Sequence, residues 1–380
     1  ATGCTEGHPM SVQRGYLDFE LRIEDLGGGR YRATVIEMPL GEGSAQVSHD
    51  FTLPFAPDEL ARMLAVLSGR AQVSQAERLR TARTFGEGLF GAVFAGPVYT
   101  VYFSSRDRAR TAQGLRIKLG LDDAGDLAAL PWELLRDPAI DYLALSRTTP
   151  LVRHPHRLVM RSRPVFRPPL RILVMIASPS DLPPVDAEAE WQNVLAATEQ
   201  LRARGLLELE RIEEATLRAL QRKLRSREFH VFHYIGHSTF DPGTGQGMLA
   251  LEDPYGDGGS VPVRAEDLAR ELSEENTIRL VVLNSCQSAV AQEQDPFAGL
   301  ASSLVARGLP AVVAMQWAIA DDAARVFAEE LYRAVAEGLP VDAAVSEARR
   351  AVSHLSGGVA WATPGLCMRA QDGVLVGFET

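Results

Sequence analysis

Cysteine is scarce in this chain of 380 residues: it occurs three times, as Cys4, Cys286 and Cys367. An odd and sparse set of cysteines excludes the disulfide framework that stabilises many small secreted proteins. The first residues, ATGCTEGHPM, are neither basic nor apolar, so they do not form a secretory signal. We therefore expect a protein of the reducing cytoplasm.

Long apolar runs and a basic excess are also missing. No apolar run approaches the ~20 residues that a membrane-spanning helix needs, so we expect no membrane partner. The net charge is −10, whereas nucleic-acid binders usually carry a surplus of lysine and arginine, so nucleic acid is not an expected partner either. Hydrophobic residues make up 46% of the chain, which is enough to form a globular core and excludes disorder as the main state.

From residue 170 onward, apolar strand patterns alternate with amphipathic helix patterns. The predicted strands include LRILVMIASP, FHVFHYIGHS, IRLVVLNSC and AVVAMQW. Parallel strands need crossover connections, and helices of this length between strands provide them. The sequence therefore predicts an α/β fold with a largely parallel sheet and helices on both faces.

The N-terminal half has a different pattern. Residues 16–53 alternate in the manner of strands around a turn at Leu26–Gly29, and a helix is predicted to begin after Asp58. We divide the chain into a tail (1–9), a β-hairpin-plus-helix region (10–78), a second α+β subdomain (79–165) with a basic linker to about residue 170, and the α/β unit (166–380).

The basic linker, residues 147–171, contains seven arginines, two histidines, five prolines and no acid. Because proline disfavours helices and inner strands, we interpret it as a solvated connection between subdomains. A patch that binds phosphate or nucleic acid and a protease-sensitive regulatory linker remain the alternatives.

Two predicted strands end in reactive side chains, FHVFHYIGHS at His237 and IRLVVLNSC at Cys286. If these strands are parallel neighbours, both side chains lie at the same edge of the sheet, where α/β proteins bind ligands. An imidazole there can accept the thiol proton, and the resulting thiolate is a strong nucleophile. Each residue alone is more often structural, but together they favour a His–Cys dyad.

Two further patterns give no site. His230, His233 and His237 suggest a metal, but strand alternation places 230 and 233 on opposite faces, so we expect no metal. The glycine-rich segment 243–247 lies between two strands, whereas a phosphate-binding loop leads into a helix, so we interpret it as a flexible loop beside the site.

These motifs resemble the CHAT family of caspase-like cysteine peptidases, bacterial relatives of caspases and separase. The resemblance is carried by His237 in HYIGHS, by Cys286 in VVLNSCQS, by the segment from AVVAMQW to EARRAV, and by LFGAVFAGPVYTVYF and LPWELLRDPAIDYLALSRTTPLVR. It covers roughly residues 80–370 and makes 79–165 the N-terminal CHAT subdomain and 166–380 the caspase-like catalytic domain.

The resemblance implies a cysteine endopeptidase that cleaves a protein substrate without a cofactor. Cys286 would be the nucleophile and His237 the general base, and the backbone N–H groups of Ser238 and Cys286 would form the oxyanion hole. It further implies a bacterial stress, defence or cell-death setting under an upstream protein activator. The alternatives are a catalytically silent scaffold and a regulator that responds to nucleic acid or a nucleotide.

The resemblance also suggests pocket residues. Asp321 follows Trp317 by four residues, a spacing similar to that in separase, so Asp321 would line a pocket for a basic residue. The competing interpretation is that Asp321 and Asp322 stabilise a helix N-terminus. Asn284 stands where many relatives have an acid, two residues before the cysteine, and is a second pocket candidate. Trp132 and Leu134 are predicted to be buried between subdomains.

Overall fold

The predicted alternation of strands and helices is present in a computed structural model. It describes residues 15–39, 47–110, 114–155, 166–241, 243–244, 246–256, 258–274, 276–285, 296–356, 358–370 and 373–376. The strands are β1 (Leu17–Gly27), β2 (Arg30–Glu37), β3 (Ser48–Thr52), β4 (Leu115–Asp123), β5 (Arg136–Asp137), β6 (Asp141–Tyr142), β7 (Leu151–Arg153), β8 (Leu170–Ile176), β9 (Leu207–Ile212), β10 (Val231–Gly236), β11 (Ser238–Phe240), β12 (Gly247–Glu252), β13 (Ser260–Arg264), β14 (Leu280–Ser285), β15 (Ala311–Met315) and β16 (Pro364–Met368).

The helices agree with the amphipathic segments of the sequence. They are α1 (Pro57–Leu67), α2 (Gln75–Val93), α3 (Gly96–Arg110), α4 (Ala187–Ala203), α5 (Leu217–Ser226), α6 (Ala265–Glu274), α7 (Pro296–Ala306), α8 (Asp321–Ala336) and α9 (Val341–Ser356). Asp58 was predicted to precede the first helix, but it lies within the first turn of α1, after Ala56 and Pro57. No described helix is long and apolar enough to cross a lipid bilayer.

One sheet of eleven strands runs through the molecule in the order β3-β2-β1-β4-β7-β16-β15-β14-β10-β8-β9. Strands β9, β8, β10, β14 and β15 form one parallel block, and β1, β4, β7 and β16 form a second. The blocks meet at the antiparallel pair of β15 with β16. The predicted α/β class with a preceding α+β region is thus confirmed, and the N-terminal hairpin extends the same sheet.

The two faces of the sheet are covered by different helices. On β10, Val231 and Ile235 belong to the core beneath α4, α8 and α9, whereas Phe232 and Tyr234 belong to the core beneath α5, α6 and α7. This alternation follows from the two-residue period of a strand. A residue's position on β10 therefore decides which helices it faces.

A buried polar cluster joins the N-terminal subdomain to the α/β unit. This seam cluster consists of Glu133, Arg153, Gln316 and Arg349, all at most 8% exposed. Both Arg153 and Gln316 bond the Glu133 carboxylate, with Arg153 Nη2 at 2.8 Å and Gln316 Nε2 at 2.7 Å. Arg349 lies 3.8 Å from Glu133 and donates to the carbonyl oxygen of Pro364 at 2.6 Å.

The seam cluster holds two guanidinium groups against one carboxylate. Burial would raise the pKa of Glu133, but the Arg153 guanidinium outweighs that effect and keeps the pKa below its usual value. Burial lowers the pKa of Arg349 to about 10. Nη1 of Arg349 has no hydrogen-bond partner among the described residues. Glu133 is therefore the charge on which both arginines depend.

The prediction of a solvated linker over 147–171 is wrong for its first part. Residues 151–153 form β7, an inner strand between β4 and β16, and Arg153 is a member of the seam cluster. Pro150 and Pro155 lie outside the three-residue strand, so their missing N–H groups do not interrupt its hydrogen bonds. Residues 156–165 lie outside the described part of the chain.

The predicted burial of Trp132 and Leu134 is confirmed, since both are fully buried. Trp132 Nε1 donates to the carbonyl oxygen of Leu127 at 2.7 Å, which satisfies its polar atom inside the core. The turn that contains them packs so closely on α2 that a Cβ at Gly86 would lie 2.1 Å from the carbonyl oxygen of Leu134.

Candidate active site

The two strands predicted to bear the dyad are parallel neighbours. β10 pairs with β14 in a register that places Gly236 opposite Ser285, so both carboxyl ends lie at one edge of the sheet. His237 follows Gly236 directly and is only 4% exposed. Cys286 follows Ser285 in the sequence but lies outside the described residues. The distance between imidazole and thiol therefore stays a prediction.

The imidazole of His237 is held by a backbone carbonyl group. Its Nε2 lies 2.7 Å from the carbonyl oxygen of Pro183. Because a carbonyl oxygen only accepts, Nε2 carries the hydrogen, and in the neutral ring Nδ1 is then the basic nitrogen. No described residue forms a hydrogen bond with Nδ1.

Pro183 is the contact of His237 that sequence reasoning missed. It lies in the segment 177–186, which connects β8 to α4, and β8 is the other neighbour of β10. Every residue has a carbonyl group, so the contact itself leaves no sequence signal. The sequence does show a segment with several prolines directly after β8, and this position indicates a loop at the same edge of the sheet as His237.

The backbone around His237 is fixed from two sides. Its carbonyl oxygen accepts from Ala250 N at 3.0 Å and lies 2.9 Å from Tyr234 Oη. Tyr234 Oη also lies 2.9 Å from the carbonyl oxygen of Ala250. At Gly236, a Cβ would lie 2.6 Å from Tyr234 Oη and 3.0 Å from the carbonyl oxygen of Ala177, so glycine is required here.

Ser238, the predicted oxyanion-hole residue, begins β11 and is half-buried. It pairs with Leu249 of β12, and the bond from Ala250 N to the His237 carbonyl identifies this as a non-hydrogen-bonded pair of the antiparallel ladder. The amide N–H of Ser238 therefore points away from β12. The second predicted donor, the amide of Cys286, lies outside the described residues.

The pocket candidates lie on β14 and after β15. Asn284 is buried on β14, on the face that Val282 presents to α4 and α8, and its Oδ1 has no partner among the described residues. Asp321 is exposed and is the first residue of α8. Its predicted position at a helix N-terminus is confirmed, although Ala320 and not an acid occupies the capping position. Its role in a pocket stays a prediction.

His230, directly before β10, and His233, on β10, have structural contacts. His230 Nδ1 accepts from Arg171 N at 3.1 Å, and its ring stacks on Phe166. His233 Nδ1 lies 2.9 Å from Tyr332 Oη on α8. Among the described residues, no group of three or more potential ligands could hold a metal ion.

Comparison with known proteins identifies relatives by family and by fold. The family model described as CHAT domain matches residues 83–367. The separase–securin complex of Saccharomyces cerevisiae has a similar structure, with a TM-score of 0.50 and 12% identity over 93% of this chain. The match covers 30% of the separase chain, so this chain spans about a third of that protein.

A second similar structure is the Arg-specific cysteine proteinase gingipain R, with a TM-score of 0.42 and 10% identity. That match covers 84% of this chain and 75% of the gingipain chain. A complex of the Porphyromonas gingivalis RgpB pro- and mature domains matches with a TM-score of 0.43 and 9% identity, over 83% of this chain and 76% of that one. No curated protein sequence matches this chain.

Proposed function

The chain belongs to the CHAT domain family and has the fold of a cysteine protease, and on this basis we propose that it is a cysteine endopeptidase that cleaves a protein substrate. Cys286 is the proposed nucleophile and His237 the proposed base. The observation that carries the proposal is the register of β10 and β14, because His237 and Cys286 directly follow the paired residues Gly236 and Ser285.

In the proposed reaction, Nδ1 of His237 accepts the thiol proton of Cys286. The sulfur then attacks the scissile carbonyl carbon, a C–S bond forms, and the negative charge moves to the carbonyl oxygen. We assign the stabilisation of that oxyanion to the amide N–H of Ser238, which is not used by β12, an interaction worth about 3 kcal/mol in related chemistry. The imidazolium next protonates the leaving amine as the C–N bond breaks, and water hydrolyses the thioester.

The test uses the two cysteines that differ in their predicted role. Cys286→Ala and His237→Ala should each abolish peptide cleavage while the thermal midpoint stays within a few degrees. Cys367→Ala is the matched control, because Cys367 is a buried thiol of β16 and should not contribute. An irreversible peptide electrophile should label Cys286, as located by mass spectrometry. Cleavage that survives in Cys286→Ala would disprove the proposal.

We further propose that Asp321 selects a basic residue before the scissile bond. Its exposed carboxylate lies at the start of α8, the element that follows β15, and β15 is the neighbour of β14 on the side away from β10. A carboxylate pairs well with a substrate guanidinium. Asn284 is the second proposed pocket residue, with a buried side-chain oxygen that has no partner among the described residues.

A peptide library with Arg, Lys, Leu, Met and Asp before the bond tests the pocket. Asp321→Ala should remove a preference for Arg and Lys and leave a leucine substrate unaffected. Asp322→Ala is the matched control, because Asp322 lies in the same first turn and accepts from Ala323 N. A wild-type preference for Asp or for apolar residues would contradict the proposal.

We assign the enzyme to the bacterial cytoplasm, to a stress, defence or cell-death setting, and to control by an upstream protein activator; these assignments rest on the family. Comparing the proteomes of cells that express the wild type and Cys286→Ala would identify the substrate. A regulator that binds nucleic acid through residues 147–171 finds less support, since Arg153 of that segment is buried and paired with Glu133.

A further inference from the structure

The hairpin of β12 and β13 bonds the backbone of His237 and also the segment that contains Pro183. On one side, Ala250 N of β12 donates to the carbonyl oxygen of His237 at 3.0 Å. The residue after His237, Ser238, begins the strand that pairs with β12. The histidine backbone is thus tied to this hairpin.

On the other side, the hairpin holds the 177–186 segment. The Glu252 carboxylate, at the end of β12, accepts from Ser178 N at 3.0 Å. Ser260, its cross-strand partner on β13, donates to the Asp181 carboxylate from both its backbone N and its Oγ, each at 2.7 Å. The hydrogen bond from the Ser260 hydroxyl lowers the pKa of Asp181, so this carboxylate is ionised and accepts.

Pro183 itself cannot anchor the segment through an amide. Neither Pro183 nor Pro184 has a backbone N–H, so their position depends on bonds made elsewhere in the segment. Beyond Ser178 and Asp181, those bonds include Ser180 N to the carbonyl oxygen of Gly258 at 2.9 Å, Val185 N to Ser178 Oγ at 2.9 Å and, within the segment, Leu182 N to the carbonyl oxygen of Pro179 at 3.2 Å. Of the residues in this segment that bond the hairpin, Asp181 is the nearest to Pro183 in sequence.

We propose that Asp181 and Ser260 are positioning residues for His237, which hold the Pro183 carbonyl group against Nε2 and so keep Nδ1 as the basic nitrogen. The assignment of Nδ1 as the atom that accepts the thiol proton rests on the proposed function. The positioning itself concerns only the imidazole and the two segments that flank it. Neither residue touches the reacting atoms in this scheme.

The experiment compares Asp181→Ala and Ser260→Ala with Asp267→Ala in the full chain. Asp267 is the matched control, because it is a partly exposed acid of α6 whose carboxylate accepts from Arg270 and not from the 177–186 segment. The first readout is the tautomer of His237, measured by ¹⁵N NMR with labelled histidine and assigned with His237→Gln. The second is the kcat and KM for a cleaved peptide.

We expect the wild type and Asp267→Ala to show hydrogen on Nε2, and both test variants to show a mixture of tautomers. We expect kcat to fall about 10-fold in each test variant, a fraction of what general acid–base catalysis contributes, with KM changing less than about 2-fold. Ser260→Thr keeps the hydroxyl in a strand position that favours threonine, and should restore the wild-type pattern. Asp181→Asn, which keeps an acceptor, gives a milder variant if the alanine protein does not fold.

A wild-type tautomer in Asp181→Ala and Ser260→Ala overturns the positioning role, as does a change confined to KM. The tautomer is measured without substrate, so this result is independent of whether the protein cleaves peptides. If the tautomer depends on Asp181 but Cys286→Ala retains the activity of the wild type, the positioning role stands and the proposed peptidase mechanism fails.

Discussion

The seam cluster and the His237 site are both polar, but they are built differently. In the seam cluster, buried side chains contact one another directly, and the Glu133 carboxylate is the centre of every charged contact. At the His237 site, the polar groups are mostly backbone carbonyl and amide groups, supported by half-exposed loops. When a cluster of buried charges loses one member, another charge is left buried without a partner. When one of several backbone hydrogen bonds is lost, the others still hold the segment. Substitutions in the seam cluster should therefore lower the stability of the fold. Substitutions in the segments that support His237 should leave the fold intact and lower the rate of the reaction instead.

Replacing Glu133 is the strongest test of whether the seam cluster determines stability. Glu133→Ala leaves Arg153 and Arg349 buried without a carboxylate, and should lower the free energy of unfolding by about 3–5 kcal/mol. Urea unfolding followed by circular dichroism measures it. Glu329→Ala is the control, since its pair with Arg333 is on the surface and should change stability by less than about 1 kcal/mol. Equal effects of the two variants would contradict the role given to the seam.

Two glycines of α2 test the packing beside the seam. Gly86→Ala places a Cβ 2.1 Å from a backbone oxygen of Leu134, which cannot move without shifting the turn, and should destabilise the protein by about 3 kcal/mol. A Cβ at Gly91 would meet no described atom of a neighbouring element within 4 Å, so Gly91→Ala should stabilise the helix by about 0.5–1 kcal/mol. A thermal midpoint that rises in both variants would show that helix propensity, not close packing, governs α2.

His233 sharpens the comparison because it lies on β10, the strand that His237 directly follows, and its ring contacts Tyr332 of α8. Burial lowers its pKa to about 4, whereas the unfolded chain titrates near 6.5. Between these values the unfolded state binds more protons, so stability falls as the pH drops from 6.5 to 4, by at most about 3 kcal/mol. Burial, followed by the Arg171 charge, also lowers the pKa of His230 to about 4, so it adds to the same slope.

Urea titrations between pH 4.5 and 7 of the wild type and His233→Gln measure that slope. The variant should lose part of the pH dependence and keep the part due to His230. A slope that is unchanged in His233→Gln would show that the wild-type histidine is already protonated or accessible in the folded state.

Asp321 gives the smallest expected effect on stability. As a first-turn acid of α8, it interacts favourably with the helix dipole, and Asp321→Ala should cost only about 0.5 kcal/mol. Unfolding in low and high salt checks this, because added salt should remove the difference. A loss above about 2 kcal/mol would mean that the carboxylate has a structural partner, and would weaken its assignment to a substrate pocket.

Local patterns were enough to predict much of this molecule. The alternation of strands and helices, the burial of Trp132, the start of α8 at Asp321 and the position of His237 at the end of an inner strand all follow from periods of two and 3.6 residues and from turn residues. The same patterns misassigned residues 151–153, since a three-residue strand between prolines is too short to show a period.

The sequence by itself determined which elements form and which of their residues are apolar, because those properties depend on neighbours a few positions away. The tertiary structure alone decided that Arg153 meets Gln316, 163 positions later, and that Pro183 meets His237, 54 positions later. These contacts depend on the order of strands in the sheet. A backbone carbonyl such as that of Pro183 is chemically the same at every position, so only folding can select it as the partner of a histidine.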